Sequence, residues 1–290
     1  MAKLTDKQKR KAKNEIMDFS FVLPSLIIFT IIIIVPLISG IRYTFTDWNG
    51  MTPEMNFVGV KNYRTLLTDK DLILPIRNTA IFTLVTTVAL NVLGLALAMM
   101  VEKEFKGVNV IKSIVFIPLV VSLVLVSYMW MYVYSDFFRL FSWESPLIST
   151  KTVLIGLCVM AIWKEAGLAM MIYLAALKGV PSDYYEAATI DGAGFWQKFR
   201  NITVPMIAPA FTYCIPLWLA NGLRMYDYSY IATSGGPSHA SESMAFYIYQ
   251  YLFPFNKVGY GQTVAFVYLI FCIVLSNIVT RALRKREIEL

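Results

Sequence analysis

Two adjacent charges, Lys164 and Glu165, interrupt an otherwise uncharged run from Thr152 to Leu177. If that run crosses a bilayer, each charge at its centre costs on the order of 2.5–3.5 kcal/mol on insertion scales. Both side chains are therefore expected to face protein or water, either lining a passage or forming a structural ion pair. Aromatic and amide groups stand within or near similar apolar runs: Trp163 beside the pair, Tyr128 and Trp130 earlier, Trp218 and Asn221 later. Such a set offers stacking faces and orienting hydrogen bonds, or ordinary helix packing.

Other chemistries have little to work with. His239 is the one histidine, too few for a His-based metal site or a Ser/His/Asp triad. Cys158, Cys214 and Cys272 each fall inside an apolar run and read as small hydrophobes, with no disulfide and no metal expected. No G-x-x-x-x-G-K-[ST] phosphate loop occurs, so the chain is not expected to hydrolyse ATP and reads as no enzyme.

The elements that must carry these groups are membrane helices. Of 290 residues, 57% are hydrophobic and 16% charged, with mean hydropathy +0.59, against roughly 25% charge in soluble domains. This composition excludes a free cytosolic enzyme, a secreted disulfide scaffold and a disordered chain. Stretches between charges predict an all-α integral membrane protein with six transmembrane helices, at 19–41, 78–101, 113–135, 152–177, 201–223 and 258–280. Pro24, Pro36, Pro118, Pro205, Pro209 and Pro216 fall inside these runs and predict bends that neighbouring helices support.

Charge bias orients the chain. With the first residues inside, the inner segments 1–18, 102–112, 178–200 and 281–290 carry 16 Lys/Arg in 62 residues, and the outer segments carry 9 in 86. Positive residues collect on the cytoplasmic side, so both termini are expected there, an N-in/C-in topology. Trp48, Trp143 and Trp196 flank spans as interfacial aromatics. The basic tail 1–18, with Lys3, Lys7, Lys9, Arg10, Lys11 and Lys13, reads as the start of an uncleaved signal anchor attracted to anionic membrane lipid, with no nucleic acid expected.

One inner loop, 178–200, has the grammar of folded structure between spans four and five. After Gly179-Val180-Pro181, Ser182 or Asp183 can cap a short helix, with Glu186 in the reciprocal capping position. That helix runs to about Asp191, where Gly192 ends it, because a left-handed terminal residue is cheapest for glycine. Gly194-Phe195-Trp196-Gln197-Lys198-Phe199-Arg200 then leads into the next span. The result is an L-shaped knob with a small face (Ala187, Ala188, Gly192, Ala193) and a bulky one (Tyr184, Tyr185, Phe195, Trp196), suited to a partner's groove or to the lipid surface.

The run Glu186-Ala187-Ala188, three residues, Gly192, nine residues, Ile202-Thr203-Val204-Pro205 resembles the E-A-A-x3-G-x9-I-x-L-P signature of the membrane subunits of binding-protein-dependent ABC importers. Val204 stands where the family usually has Leu, a change of modest volume. Phe45-Thr46-Asp47-Trp48-Asn49, Phe57-Val58-Gly59-Val60-Lys61-Asn62-Tyr63 with Asn78-Thr79, and Thr233-Ser234-Gly235-Gly236-Pro237 resemble the maltose-type carbohydrate permeases. The likeness covers 19–285.

This resemblance implies a permease subunit of an ATP-driven sugar or oligosaccharide importer in a bacterial or archaeal cell membrane. The knob becomes a coupling helix, with Tyr185, Glu186, Ala187, Ala188, Asp191 and Gly192 against an ATPase subunit. Implied partners are a second permease, two ATPase subunits that bind the ATP and Mg, an extracytoplasmic sugar-binding protein and the sugar itself. This chain holds no cofactor. The helices flanking the knob would line the sugar path, with Trp163, Lys164, Glu165, Trp218 and Asn221 as candidates, joined by Tyr128 of the third span, and Lys164 a recognition point for an anionic sugar. Tyr226, Asp227, Tyr228 and Tyr230 either help gate that path or mark the membrane interface. Alternatives are an importer for a non-sugar solute and a stand-alone secondary transporter, which would need an inverted repeat and coupling acids beyond Glu165.

Overall fold

The computed structural model describes residues 6–285, with side chains from Met17 onward; the outermost parts of the basic tails at 1–18 and 281–290 lie outside the described residues. Among the described residues the chain is all helical. Thr46 and Phe57 form one isolated antiparallel bridge.

In chain order, α1 (Asp6–Phe29) passes through a π-turn, Thr30–Ile34, into α2 (Val35–Tyr43). Next come α3 (Lys61–Thr68), α4 (Ile73–Glu102), α5 (Val108–Val120), α6 (Leu123–Tyr132) and α7 (Phe138–Leu140). Then follow α8 (Val153–Lys178), α9 (Ser182–Ile190), α10 (Phe195–Lys198) and α11 (Val204–Met206). The chain closes with α12 (Ala208–Leu223), α13 (Asp227–Thr233), α14 (Met244–Leu252) and α15 (Val258–Arg284).

Four stretches are long and apolar enough to cross a bilayer: Met17–Tyr43, Lys70–Glu102, Val153–Lys178 and Val258–Arg284. The runs predicted at 113–135 and 201–223 are not straight helices. Val108–Val120 meets Leu123–Leu140 at 103°, and Phe195–Met206 meets Ala208–Leu223 at 69°. Counting each bent pair as one crossing gives six. The first break lies just after Pro118: Val121 is extended and the Ser122 hydroxyl accepts the Leu125 N–H to start α6 afresh. The second falls at Ile207, between Pro205 and Pro209, neither of which has an N–H to carry the helical ladder through. The second run also starts earlier than 78: helix begins at Lys70 and carries Arg77 within it, because a charge near a span end sits at the interface without ending the helix.

Two compact units are present, residues 1–67 with 251–266 and residues 68–250 with 267–290. In the first, the segments 45–49 and 57–63 are clasped together. Asn62 Nδ2 donates to the carbonyls of Thr44 and Thr46, both at 2.9 Å, and the Thr44 hydroxyl meets the Tyr63 phenol at 2.9 Å. The Asn56 backbone N–H donates to Asp47 Oδ1 at 2.8 Å and holds that carboxyl below its ordinary range. Gly259 passes so close that any Cβ there would collide with the Thr46 carbonyl.

In the second unit, α4 packs along α8 and α12, and α8 also packs on α5. Small residues permit the close approach that drives helix association in membranes. A Cβ on Gly94 would fall 2.5 Å from Ala169 Cβ, and one on Gly222 would fall 2.7 Å from Thr83 Cα. The buried face of α4 includes a polar stripe, Asn78, Thr79, Thr83, Thr86, Thr87 and Asn91, recurring every three or four residues. Its hydroxyls and amides are satisfied in part along the helix itself: Thr86 donates to the Phe82 carbonyl at 2.7 Å and Asn91 to Thr87 at 2.7 Å. The Tyr173 phenol donates to Asn91 Oδ1 from α8.

The start of α4 also clasps the loop that carries Gly235-Gly236-Pro237. Asn78 Nδ2 donates to the carbonyls of His239 and Glu242 at 3.2 and 3.0 Å, and Thr79 Oγ1 accepts the Met244 N–H at 2.9 Å.

Candidate functional site

The loop after α8 forms the knob that the sequence predicts, with one difference at its start. Helix α9 begins at Ser182 directly after Pro181, and no side chain caps it. Pro181 occupies the capping position and has no side-chain oxygen, so the expected Ser182/Asp183 cap with Glu186 does not form. The far end does form as expected. Gly192 has φ +76°, the Gly192 N–H donates to Thr189 O at 3.1 Å, and the Ala193 N–H reaches Ala188 O at 2.8 Å. That pair of bonds is a Schellman corner.

The two arms of the corner are braced. Lys198 Nζ donates to Thr189 Oγ1 at 2.6 Å, and the Tyr185 phenol meets Thr203 Oγ1 at 3.0 Å. Gln197 reaches back to accept the Gly194 N–H at 2.7 Å and starts α10. Tyr185, turned toward Thr203, is thus part of the brace, while Glu186, Ala187, Asp191 and Gly192 stay exposed. Ile190 is 87% exposed and Trp196 74%, apolar surface left open at the knob.

A cavity of about 380 Å³ opens between α4, α8, α12 and α13. Its walls include Phe82, Thr86, Glu165, Trp218, Asn221 and Tyr226. The volume lies at the low end of ligand pockets, roughly 300–1,000 Å³. Glu165, Trp218 and Asn221 of the predicted set are brought together here. Trp218 is 1% exposed, and its indole N–H, like the hydroxyls of Thr83 and Thr87, finds no partner among the described residues.

Lys164, Trp163 and Tyr128 do not line the cavity. Lys164 Nζ donates to the Leu119 carbonyl at 3.0 Å and stands 4.0 Å from Glu165 Oε1. Leu119 lies in the last turn of α5, whose final carbonyls have no helical donor, so the lysine supplies one exactly where the helix breaks and its charge suits the helix C-terminus. Gly167, one turn on, lets α8 lie flush on α5, since a Cβ there would sit 2.8 Å from Phe116 Cα. Trp163 meets Trp130 edge to face at 5.7 Å, and Tyr128 is 59% exposed.

Several lining residues lie outside the set expected from sequence to bind cargo. Thr86 belongs to the α4 stripe, whose three-to-four spacing of Thr and Asn is a visible signal, and Phe82 is buried about one turn before it. Arg224 and Asp227 also line the cavity, and Arg224 donates to Asn221 Oδ1 at 3.1 Å. Burial pushes the Tyr226 phenol up to about 12, with Tyr249 and Tyr230 adding to it, and burial raises Tyr228 as well. Burial likewise raises the Glu242 carboxyl, against the opposing pull of His239, whose Nδ1 lies 2.6 Å from Glu242 Oε2.

A bent-helix membrane fold with an exposed glycine-cornered knob and a polar cavity defines a transport permease. Residues 90–288 match the family of binding-protein-dependent transport system inner membrane components, and the chain belongs to it. It is an integral, multi-pass membrane permease of the ABC importer class. The probable starch degradation products transport system permease protein of Thermoanaerobacterium thermosulfurigenes is 33% identical, over 98% of this chain and 99% of its own. The multiple sugar-binding transport system permease protein of Streptococcus mutans is 28% identical, over 96% and 99%. Among solved structures, a bacterial ABC transporter involved in the import of the acidic polysaccharide alginate shares the fold, with TM-score 0.83 and 21% identity, over 97% of this chain and 99% of that one.

Proposed function

We propose that this permease forms half of the translocation path of an ATP-driven sugar importer and is driven by separate ATPase subunits. On this reading the chain crosses the membrane six times with both termini in the cytoplasm, in a permease domain at 19–280 between basic tails. The loop 178–200 is the coupling element. Glu186, Ala187, Ala188, Asp191 and Gly192 meet an ATPase subunit, and Tyr185 holds the arm that carries them. The complete complex has a second permease, two ATPase subunits holding ATP and Mg, and an extracytoplasmic sugar-binding protein.

The cavity walled by Tyr226, Asn221 and Glu165 carries the sugar reading, since a tyrosine ring beside amide and carboxylate groups matches a saccharide's apolar face and hydroxyls. Relatives named for starch products and multiple sugars support it. Lys164 belongs to the framework: it braces the break after α5 and leaves Glu165 to the cargo. Coupling works by population shift, in which ATP closes the ATPase pair and favours the outward-open bundle only to the extent that it binds that state better.

The coupling assignment is tested by placing cysteine at Ala188 in the assembled complex. Crosslinks to an ATPase subunit are expected, and their absence, or labelling of this cysteine from outside the cell, refutes it. Uptake of a radiolabelled sugar panel tests the cargo, and transport of a non-sugar solute alone refutes the sugar reading.

A further inference from the structure

Past the cavity, the end of α12 and the start of α13 carry a strip unlike the apolar middle of α4. Along the middle of α4, Ile81, Leu84, Val88 and Val92 are exposed and apolar, as suits lipid. Asn221, Arg224, Asp227 and Tyr230 are exposed at three-residue spacing, and all four are polar. The strip is joined to the cavity, because Asn221, Arg224 and Asp227 line its wall and Arg224 hydrogen-bonds Asn221.

Tyr226 is the turning point. It lines the cavity and also belongs to a cluster of four rings. It stacks on Tyr230 at 5.4 Å with planes 20° apart and meets Tyr249 at 5.3 Å, while Tyr230 and Tyr249 lie 5.5 Å apart. Phe246, buried, forms the floor at 5.8 Å from Tyr230 and 6.1 Å from Tyr249. Tyr230 keeps 42% of its surface open. An interfacial tyrosine serving only as a membrane anchor needs no carboxylate or guanidinium beside it. A ring surface next to Asp227 and Arg224 presents both things that a pyranose offers partners for: a C–H face and vicinal hydroxyls.

The geometry points to an entry subsite for saccharide outside the cavity, in which Tyr226, Tyr230 and Tyr249 stack on sugar units while Arg224 and Asp227 bind their hydroxyls. This deepens the sugar-importer reading and rests on it. The subsite engages the trailing units of a chain whose leading unit occupies the cavity, so its contribution grows with saccharide length.

The test uses the complete complex in proteoliposomes with its binding protein, comparing the disaccharide and hexasaccharide of the series that wild type imports, maltose and maltohexaose for an α-glucan. Tyr230→Ala is expected to raise KM for the hexasaccharide about three- to tenfold, the equivalent of roughly 0.7–1.4 kcal/mol, and to leave the disaccharide within about twofold. Tyr230→Phe, which keeps the ring, is expected to restore most of the difference. Tyr249→Ala supplies a second variant should Tyr230→Ala fail to assemble. Equal effects on both sugars, or none on either in both alanine variants, overturn the subsite while wild-type sugar uptake stands. Wild type importing no sugar overturns the underlying reading instead.

Discussion

Replacing Gly94 by alanine adds one methyl group at the closest approach of α4 to α8. The new Cβ would sit 2.5 Å from Ala169 Cβ and 2.9 Å from the Ala169 carbonyl carbon, where ordinary contact begins at 3.4 Å. The helices must therefore separate by about 0.9 Å at this point, or both must bend. Neither atom belongs to a flexible side chain, so the strain spreads through two long helices. Overpacking of this kind costs typically 1–3 kcal/mol, offset by about 0.8–1 kcal/mol of helix propensity gained on leaving glycine. Because the clash meets Ala169 Cβ and backbone and no flexible side chain, the cost falls at about 2–3 kcal/mol and a net loss of about 1–2 kcal/mol is expected, roughly five- to thirtyfold in the unfolding equilibrium. The assay is equilibrium unfolding of the purified permease in mixed detergent micelles as denaturing detergent is titrated in. Gly94→Ala with Ala169→Gly forms a double-mutant cycle, and the paired variant should recover part of the loss, with a coupling energy of about 0.5 kcal/mol or more. Additive effects of the two substitutions would refute the packing argument, as would Gly94→Ala proving as stable as wild type.

Three further outcomes follow from the site. Gly192→Val places a β-branched residue at φ +76° with nothing within 4 Å of its Cβ, so backbone strain of about 1–2 kcal/mol is the whole effect. ATP hydrolysed per sugar imported should rise in complex that still assembles, and an unchanged ratio in assembled complex counts against coupling through this corner. Lys164→Met removes the donor to Leu119, a charge-assisted bond worth about 1.5–3 kcal/mol, and should lower the melting midpoint, whereas Glu165→Gln should leave the midpoint near wild type and raise uptake KM. The reverse pattern would put the lysine on the cargo. Glu242 has its folded pKa raised above the ordinary glutamate value of 4.5 by burial, so the folded state binds the proton more tightly than the unfolded one. Stability relative to Glu242→Gln should therefore be greatest below 4.5 and fall as pH rises through the raised value, read as the difference in melting midpoints across that window. A flat difference would remove the argument.

What the sequence disclosed depended on whether the cause was local. The Gly192 corner was legible because the need for positive φ belongs to one residue. The missing cap at α9 was not, since the polar side chains of Ser182, Asp183 and Glu186 hid the fact that Pro181 takes the capping position. Prolines marked where the third and fifth runs bend, yet the angles of 103° and 69° depend on neighbouring helices. Adjacent residues on a helix point about 100° apart, so Lys164 and Glu165 were bound to face different surroundings, and only the position of α5 decides which one reaches the cavity. Asn78-Thr79 and the Gly235-Gly236-Pro237 turn looked like separate marks of kinship. Folded, they are two sides of one clasp.

The interruption between α5 and α6 sets a condition on where this chain can exist. Val120 and Ser122 are open to the surroundings, and the backbone there has left the helical ladder. Hydrocarbon offers no substitute donors, so irregular main chain at that depth persists only against protein or water. A single copy dissolved in lipid would leave this seam bare. Cells making the permease without its companion subunits should accordingly clear it by proteolysis, and its lifetime should lengthen once the companions are supplied.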